Sequence, residues 1–319
     1  MMLNNILVIC PKFHGYENKI KDSLNAFFSV VDCIFYDESD YLNIQKTEIF
    51  KIRVKRLFTG RKSKELKCEY LYKNNFKCLN NIISNKKGDY DRLLVIKGFG
   101  LYPETIDNIN SSYKAIYQWD KLSRYPVIEH SYSCFDRVFS FDKEDSKLGF
   151  GEYLPNFICE NIHKESIIYD VFYVGSYNTE RYNFFKNAIE RYNNMGIRYF
   201  IKLIGGDKKD NFVQCENILK SDYDKFLSRS MGVVEFSRKE QSGFTQRYYE
   251  GILNKKVILS FDGLSVPKDE IPFNLSCKDN GEFDILILKD KFNKIQNAEL
   301  PDIINKLEIK NWIRTVLSL

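Results

Sequence analysis

Runs of consecutive apolar residues alternate with amphipathic segments from the start of the chain. Leu3 to Cys10 (LNNILVIC) is typical of a buried strand, and Val30 to Tyr36 (VVDCIFY) is a second short apolar run. Between them, Tyr16 to Phe28 carries apolar residues at helical spacing. A strand, a helix and a strand in this order predict the opening of a parallel, doubly wound α/β sheet.

The same alternation continues and then begins again in the second half of the chain. Polarity rises around Asn161 to Ile168, where we place a domain boundary, so that residues 1–160 and 161–319 form two α/β domains. The further apolar runs that predict strands lie within Asp91–Gly100, Lys114–Trp119, Phe135–Phe141, Tyr169–Tyr177, Tyr199–Ile204, Met231–Phe236, Lys256–Ser260 and Asp284–Leu288.

Composition agrees with two domains and restricts the class of protein. The chain has 319 residues, 44% of them hydrophobic, which suits two domains of about 100–200 residues each. Its eight cysteines are scattered without metal-ligand spacing, and only three histidines occur, so free thiols in a reducing cytoplasm are expected rather than disulfides or a zinc site. No run approaches the ~20 apolar residues that span a bilayer, and no basic segment precedes the first apolar run. We therefore expect a cytoplasmic protein.

A basic segment interrupts the first domain. Lys51 to Gly88 contains 12 Lys or Arg but only two acidic residues, with aromatic and aliphatic residues between the charges. Three interpretations stay open: a solvated helical face, a contact with an anionic membrane, and a site for a phosphorylated acceptor. Nucleic acid is not expected, because the net charge is only +5 and no recognition motif is present. The residues that we select for an acceptor or membrane contact are Lys55, Arg56, Arg61 and Lys62.

The stretch from Ser237 to Phe261 holds the clearest candidate chemistry. A polar turn, Gln241-Ser242-Gly243, is predicted to open a helix between two strands. Unpaired N–H groups at such a helix start attract anions, and the planar guanidinium of Arg247 adds a positive charge with donors in a fixed geometry. The side chains that would hold a phosphate and then a ribose are Ser242, Gly243, Thr245, Arg247 and Glu250. The alternative is an ordinary capped helix on which Arg247 and Glu250 pair at the surface.

Two residues of the first domain also fall where a ligand would bind. His14 lies in the turn after the first strand, and Asp120 follows the strand that ends at Trp119. In doubly wound sheets, ligands bind beyond the carboxyl ends of the strands. The pair Gly98 and Gly100 lacks the third glycine of a dinucleotide fingerprint and is weak evidence for NAD.

The order of several motifs resembles the GT-B glycosyltransferases. FYVGSYNTERYNFF, IKLIGG and VVEFSRKEQSGFTQRYYEGILNKKVILS look like their C-terminal domain, and IYQWD and FDRVFSFDKEDSKLGFGEYLPNF look like their first domain. More narrowly, the chain is similar to bacterial lipopolysaccharide and capsule biosynthesis proteins of that type. The basic segment is the part that matches least.

The resemblance implies two Rossmann-like domains facing a central cleft, with the last helix packing back on the first domain. It implies a nucleotide-diphospho-sugar as the substrate, no further cofactor and no metal. It assigns Gly175 to a turn near the phosphates, Gly243 and Thr245 to the helix start that faces the diphosphate, and Glu250 to the ribose hydroxyls. The leaving diphosphate would receive positive charge from Arg181 and Arg247.

The catalytic assignments depend on the same resemblance. Many retaining members carry two glutamates, and the earlier position here is Ser242, which favours inversion. An inverting transfer needs a base for the acceptor hydroxyl, and the candidates are His14, Asp120 and, with less support, His130. The expected acceptor is a lipid-linked or oligosaccharide precursor of lipopolysaccharide, O-antigen or capsule. The alternatives are a non-catalytic module that binds a nucleotide or a partner protein, and a sugar-nucleotide epimerase.

Overall fold

The computed structural model describes residues 3–13, 15–124, 126–159, 162–207, 209–236, 242–261 and 266–319, the side chains of residues 126 and 127 excepted. The chain divides into two compact units. Unit 1 holds the described residues up to Pro155, together with Ser242, Gly243 and the segment Trp312–Leu319. Unit 2 holds the described residues of the ranges 156–240 and 244–311.

Unit 1 is a parallel sheet with helical connections. Its strands are β1 (Leu3–Pro11), β2 (Phe28–Tyr36), β3 (Asp89–Tyr90), β4 (Arg92–Ile96), β5 (Asn110–Ser111), β6 (Lys114–Gln118), β7 (Arg137–Ser140) and β8 (Glu152–Tyr153). Its helices are α1 (Tyr16–Leu24), α2 (Ser39–Leu42), α3 (Lys46–Thr59), α4 (Ser63–Tyr70), α5 (Lys77–Ser84), α6 (Pro103–Asp107) and α7 (Lys143–Lys147), with a π-helical turn at Leu71–Asn75 and 3₁₀ turns at Leu122–Arg124 and Pro126–Cys134.

Six of these strands form one sheet in the order β2-β1-β4-β6-β7-β8, and β3 pairs separately with β5. All of the pairings are parallel. Ile6 to Cys10 in β1 are fully buried, as expected for a central strand covered on both faces. The basic segment of the sequence forms α3, α4 and α5, which lie in the connection from β2 to β4.

Unit 2 repeats this architecture. Its strands are β9 (Tyr169–Ser176), β10 (Tyr199–Ile204), β11 (Val213–Gln214), β12 (Ser230–Val234), β13 (Val257–Phe261) and β14 (Asn274–Cys277). Its helices are α8 (Thr179–Met195), α9 (Lys220–Ser228), α10 (Gln246–Leu253), α11 (Ile285–Ile295), α12 (Asp302–Leu307) and α13 (Ile309–Leu317), with the end of α13 belonging to unit 1. The sheet order β11-β10-β9-β12-β13-β14, parallel throughout, is that of a Rossmann fold.

The structure confirms the predicted fold class, α/β with two parallel-sheet domains. One element prediction is wrong: Asp284 to Leu288 does not form a strand, because Asp284 caps helix α11. Its carboxylate accepts hydrogen bonds from the amides of Leu286 and Ile287, at 2.7 and 3.4 Å. The apolar run that suggested a strand is the first turn of this helix.

Candidate functional site

Unit 2 has its strand-order reversal between β9 and β12. These neighbouring strands lie side by side, but their helical connections leave in opposite directions. At such a point a crevice opens beyond the carboxyl ends of the two strands, and open α/β sheets bind ligands there. Ser176 ends β9, while Glu235 and Phe236 follow β12. The candidate site is therefore built around these strand ends.

Arg181 donates hydrogen bonds to both strand ends. Its position is fixed by the start of α8, where the side chain of Asn178 accepts a hydrogen bond from the Arg181 amide at 2.8 Å. The guanidinium donates to the carbonyl of Ser176 at 3.0 Å and to the carbonyl of Phe236 at 3.3 Å. The side chain is buried. A fixed cation thus lies at the ends of β9 and β12, and the donor-binding role of Arg181 stays a prediction.

Glu235 reaches the start of α10 from the end of β12. Its two carboxylate oxygens accept from the amide of Thr245 at 3.0 Å and from the Thr245 hydroxyl at 2.6 Å. Thr245 is the residue that precedes the helix, and Gln246 begins it. Sequence reasoning missed Glu235. The available signal was an acidic residue directly after a fully buried strand.

The predicted helix start at Ser242-Gly243 is wrong, because α10 begins at Gln246. Ser242 instead joins the polar contacts of unit 1, where its amide and hydroxyl donate to the carboxylate of Asp142 at 2.9 and 3.0 Å. A Cβ added to Gly243 would lie 2.3 Å from the carbonyl oxygen of Phe141, so only glycine fits there. The Ser242 amide, which was expected to bind an anion, therefore already donates to the Asp142 carboxylate.

Arg247 lies in the first turn of α10 and is 8% exposed. Its guanidinium stands over the ring of Tyr173, 4.5 Å from the centroid, and one nitrogen is 3.5 Å from the Thr245 hydroxyl. Its Nε has no hydrogen-bond partner in the part of the chain that the structure describes. Burial acts to lower the pKa of this guanidinium, but Tyr173 and Glu235 outweigh it and hold the pKa above its ordinary value.

Glu250 is also buried, and its cationic partner is not Arg247. The carboxylate lies 3.3 Å from Nζ of Lys220, at the start of α9, and Lys220 also contacts Asp224 at 2.5 Å. These two carboxylates raise the pKa of Lys220 against the lowering effect of burial. The alternative of a surface pair between Arg247 and Glu250 is therefore wrong. The proposed contact of Glu250 with a ribose stays a prediction.

Gly175 lies within strand β9, opposite Leu203 of β10, rather than in the turn that the resemblance implies. A Cβ added to Gly175 would come 2.6 Å from the hydroxyl oxygen of Tyr173. The glycine thus leaves room for the tyrosine whose ring supports Arg247. Its proximity to a phosphate stays a prediction.

Unit 1 carries a second charged cluster, at the carboxyl ends of β4 and β6. Nζ of Lys97 contacts Glu38 at 2.5 Å and Asp120 at 2.8 Å, and Arg124 contacts the other oxygen of Asp120 at 2.7 Å. Burial acts to raise the pKa of Asp120, but the two cations outweigh it and hold the pKa below its usual value. Both carboxylate oxygens of Asp120 therefore face cations. The sequence did not reveal Glu38 or Lys97.

Of the other two candidate bases, the structure describes only His130. His14 lies outside the described residues. His130 is exposed and belongs to the 3₁₀ turn Pro126–Cys134. The catalytic assignments of His14 and Asp120 remain predictions.

The four predicted acceptor or membrane residues lie on α3 and the loop that follows it. All four are exposed. Nζ of Lys55 is 3.9 Å from Glu69, and the guanidinium of Arg61 contacts the same carboxylate at 2.8 Å. Arg56 and Lys62 make no ion pair within the described ranges. Two of the four predicted residues therefore lie within ion-pair distance of a carboxylate, which they share with Lys73.

The described residues contain neither a candidate metal cluster nor a membrane-spanning helix. No group of three or more His, Cys, Asp or Glu side chains in them is arranged to hold a metal ion. None of the helices in these ranges combines the length and the apolar character needed to cross a membrane.

Comparisons with known proteins identify the fold. No model of a protein family matches the chain, and no curated protein sequence matches it either. Among solved structures, the N-terminal domain of trehalose-6-phosphate phosphatase from Candida albicans aligns with a TM-score of 0.56 and 9% identity, over 98% of this chain and 95% of that one.

Two sugar-nucleotide enzymes align equally broadly. UDP-GlcNAc 2-epimerase from Methanocaldococcus jannaschii, solved with UDP-GlcNAc and UDP, gives a TM-score of 0.54 at 10% identity, over 98% of this chain and 99% of that one. A putative UDP-N-acetylglucosamine 2-epimerase from Listeria monocytogenes gives 0.53 at 13% identity, over 96% and 95%. At these identities the likeness concerns the fold alone. Together with the two parallel sheets, it shows that the chain has a GT-B-like fold.

Proposed function

We propose that this protein is a glycosyltransferase that takes a nucleotide-diphospho-sugar as donor and binds it at the strand ends of unit 2. The observation that carries the proposal is Arg247, a buried guanidinium whose Nε has no hydrogen-bond partner in the described part of the chain. A buried cation with an unused donor is costly without a ligand, and a phosphate oxygen would satisfy it.

The surroundings of Arg247 suit a diphosphate. Arg181 lies at the same strand ends, and the amides of Gln246 and Arg247 begin α10 without an intrahelical acceptor. Because Glu235 already accepts from Thr245, the arginines rather than the Thr245 amide would balance the phosphate charge. Glu250 would accept hydrogen bonds from the ribose hydroxyls, with Lys220 compensating its charge.

The proposed reaction is a displacement at the anomeric carbon of the donor sugar. The acceptor oxygen forms the new glycosidic bond, the bond from the sugar to the diphosphate breaks, and the base takes the hydroxyl proton. The nucleoside diphosphate leaves with the electron pair, and positive charge from the arginines stabilises it. The proposed base is His14 or Asp120. Many retaining members carry a glutamate at the position of Ser242, so its absence here favours inversion. The proposed reaction uses no metal.

The proposed acceptor is a bacterial surface glycan precursor, lipid-linked or a free oligosaccharide, in lipopolysaccharide, O-antigen or capsule synthesis. The support for this finer assignment is the motif resemblance in both halves of the chain. A cytoplasmic enzyme at the inner face of the membrane would meet both the donor and such an acceptor.

A binding experiment tests the donor site. Wild-type protein would be screened by thermal shift against UDP-, GDP-, CMP- and TDP-sugars, and the best donor titrated by calorimetry. Arg247→Gln should weaken binding by roughly 10- to 100-fold, as for a lost charge-assisted hydrogen bond. The matched control is Arg229→Gln, at the opposite end of β12, where the arginine pairs with Glu165 at 2.5 Å. Equal affinity in both folded variants would refute the donor site.

A sugar-nucleotide epimerase is the second candidate. The two UDP-GlcNAc 2-epimerase structures that share this fold over nearly the full chain favour it. Incubating the protein with a bound donor and no acceptor separates the activities. An isomerised sugar nucleotide would identify an epimerase. A donor that stays unchanged on its own, and is consumed once an acceptor is added, would identify a transferase. Stabilisation without either reaction would indicate a nucleotide-binding module.

A further inference from the structure

Helix α3 presents apolar and cationic side chains together on its solvent face. Lys46, Phe50, Arg53 and Leu57 are four, three and four residues apart, which places them in one line along the helix. Phe50 is 66% exposed, Leu57 83%, and the adjacent Phe58 86%. We call these five residues the α3 stripe.

The helix is held to unit 1 by its other side. Ile52, which points away from the stripe, is 5% exposed. The α3 stripe is therefore not the side of the helix that packs on the core of unit 1. Phe50, Leu57 and Phe58 are exposed apolar side chains on a helix that is already packed, and groups of exposed apolar side chains beside polar ones mark interaction sites.

The charges of the stripe are available for an external partner. Lys46 and Arg53 make no ion pair within the described ranges, and neither does the neighbouring Arg56. Lys55 and Arg61, on the side toward α4, share the carboxylate of Glu69 with Lys73. Lys46 and Arg53 thus place positive charge in line with Phe50 and Leu57.

We propose that the α3 stripe docks on the surface of an anionic lipid bilayer. The cations would lie among anionic headgroups, and the two phenylalanines and Leu57 would enter the boundary between headgroups and acyl chains. A nucleic acid would engage the cations but would leave Leu57 in water. The bilayer is the partner that matches both parts of the stripe. This proposal does not depend on the proposed function.

Vesicle co-sedimentation of the full chain tests the proposal. Wild type should bind vesicles in which about a third of the lipid is phosphatidylglycerol, bind pure phosphatidylcholine much less, and release as salt is raised through the physiological range. Phe50→Ser, Leu57→Ser, Phe58→Ser should lower the partition coefficient by about ten-fold or more. Lys46→Gln, Arg53→Gln, Arg56→Gln should lower it by about a hundred-fold at low salt.

Matched controls lie on unit 2. Ile271→Ser, Leu286→Ser, Ile287→Ser removes three apolar side chains that are 52%, 69% and 51% exposed. Lys186→Gln, Lys209→Gln, Lys225→Gln removes three exposed lysines. Both control variants should sediment like wild type.

Hydrogen exchange of unmodified protein gives a second readout, because amides of residues 46–59 should gain protection when anionic vesicles are added. The proposal is overturned if wild type does not bind the anionic vesicles, or if the unit 2 controls lose as much binding as the α3 variants. It is equally overturned if α3 gains protection with RNA and none with vesicles.

Discussion

Glu250 reaches its cationic partner across two elements, from α10 to Lys220 on α9, and not along its own helix. Asp120 does so only in part: Lys97 comes from a different strand end, whereas its second partner, Arg124, lies four residues further along the chain. Spacing along the sequence predicts partners three or four residues apart, as in the alternative of a surface pair between Arg247 and Glu250. The residue types of the site could thus be predicted, but not which of them neutralise one another.

Glu250→Gln should weaken donor binding by roughly 1.5–3 kcal/mol, as for a lost charged hydrogen bond to ribose. The buried pair with Lys220 adds a cost in stability, which we expect to stay within about 1–3 kcal/mol because Asp224 still contacts Lys220 at 2.5 Å. Calorimetric titration and urea unfolding measure the two effects separately. Unchanged donor affinity in the folded variant would show that Glu250 is a structural residue.

Asp120→Asn should lower turnover by ~10²–10⁴ with donor affinity nearly unchanged, if Asp120 is the base. The pH profile of the wild type distinguishes it from His14. Because Lys97 and Arg124 hold the pKa of Asp120 below its usual value, kcat/KM should stay level down to about pH 5. A histidine base would instead cut activity below about pH 6.5. Near-normal turnover in both Asp120→Asn and His14→Ala would remove both residues from the mechanism.

Lys256, just before β13, is buried and donates to the carbonyl of Ser228 at 2.7 Å. Burial, with a smaller effect from Lys164, lowers its pKa to about 8. The unfolded chain keeps this proton up to about pH 10.4, so stability should rise as the pH increases from 8 toward 10. Lys256→Met should therefore stabilise the protein at pH 7 by ~1–3 kcal/mol, and the gain should shrink at pH 10. Urea unfolding at both pH values measures this, and a destabilised variant at pH 7 would contradict it.

At the scale of elements, continuous apolar runs identified the buried parallel strands well, because strands covered on both faces lack alternation. At Asp284 to Leu288 the same feature led to the wrong prediction of a strand. A short apolar run fits a buried strand or a helix turn equally, and the deciding signal was the capping aspartate in front of it. In the helix, Leu288 is buried while Leu286 and Ile287 are exposed.

The capping role of Asp284 can be measured directly. Asp284→Ala should lower the free energy of unfolding by about 0.5–2 kcal/mol, because the amides of Leu286 and Ile287 lose their acceptor. Asp284→Ser should retain most of the stability, since serine also accepts at this position. Equal losses in the two variants, measured by urea unfolding, would mean that the carboxylate acts otherwise than as a cap.

At the scale of the whole molecule, the repeated order of strands and helices was sufficient to predict two parallel-sheet domains. Contacts between distant parts of the chain were not predictable from that order. The Asp142 carboxylate binds Ser242, 100 residues later, and no periodicity links the two. For the same reason the local motif suggested an open helix start at Ser242, whereas the folded chain uses this residue inside unit 1.

The segment Trp312–Leu319 is a second case of distant parts of the chain in contact, because it packs into the core of unit 1. Periodicity did not indicate this contact, whereas the resemblance implied a last helix packing on the first domain. Trp312 is fully buried, its ring packs edge-on against Tyr117 of β6 at 4.7 Å, and its indole N–H donates to the carbonyl of Pro155 at 3.2 Å. Trp312→Ala should therefore destabilise unit 1 by ~3–5 kcal/mol. Hydrogen exchange should show the loss of protection in β6 and its neighbours β4 and β7, and Trp312→Phe, which keeps most of the apolar contact, should lose less. Loss of protection confined to β9–β13 would show that this segment does not support the sheet of unit 1.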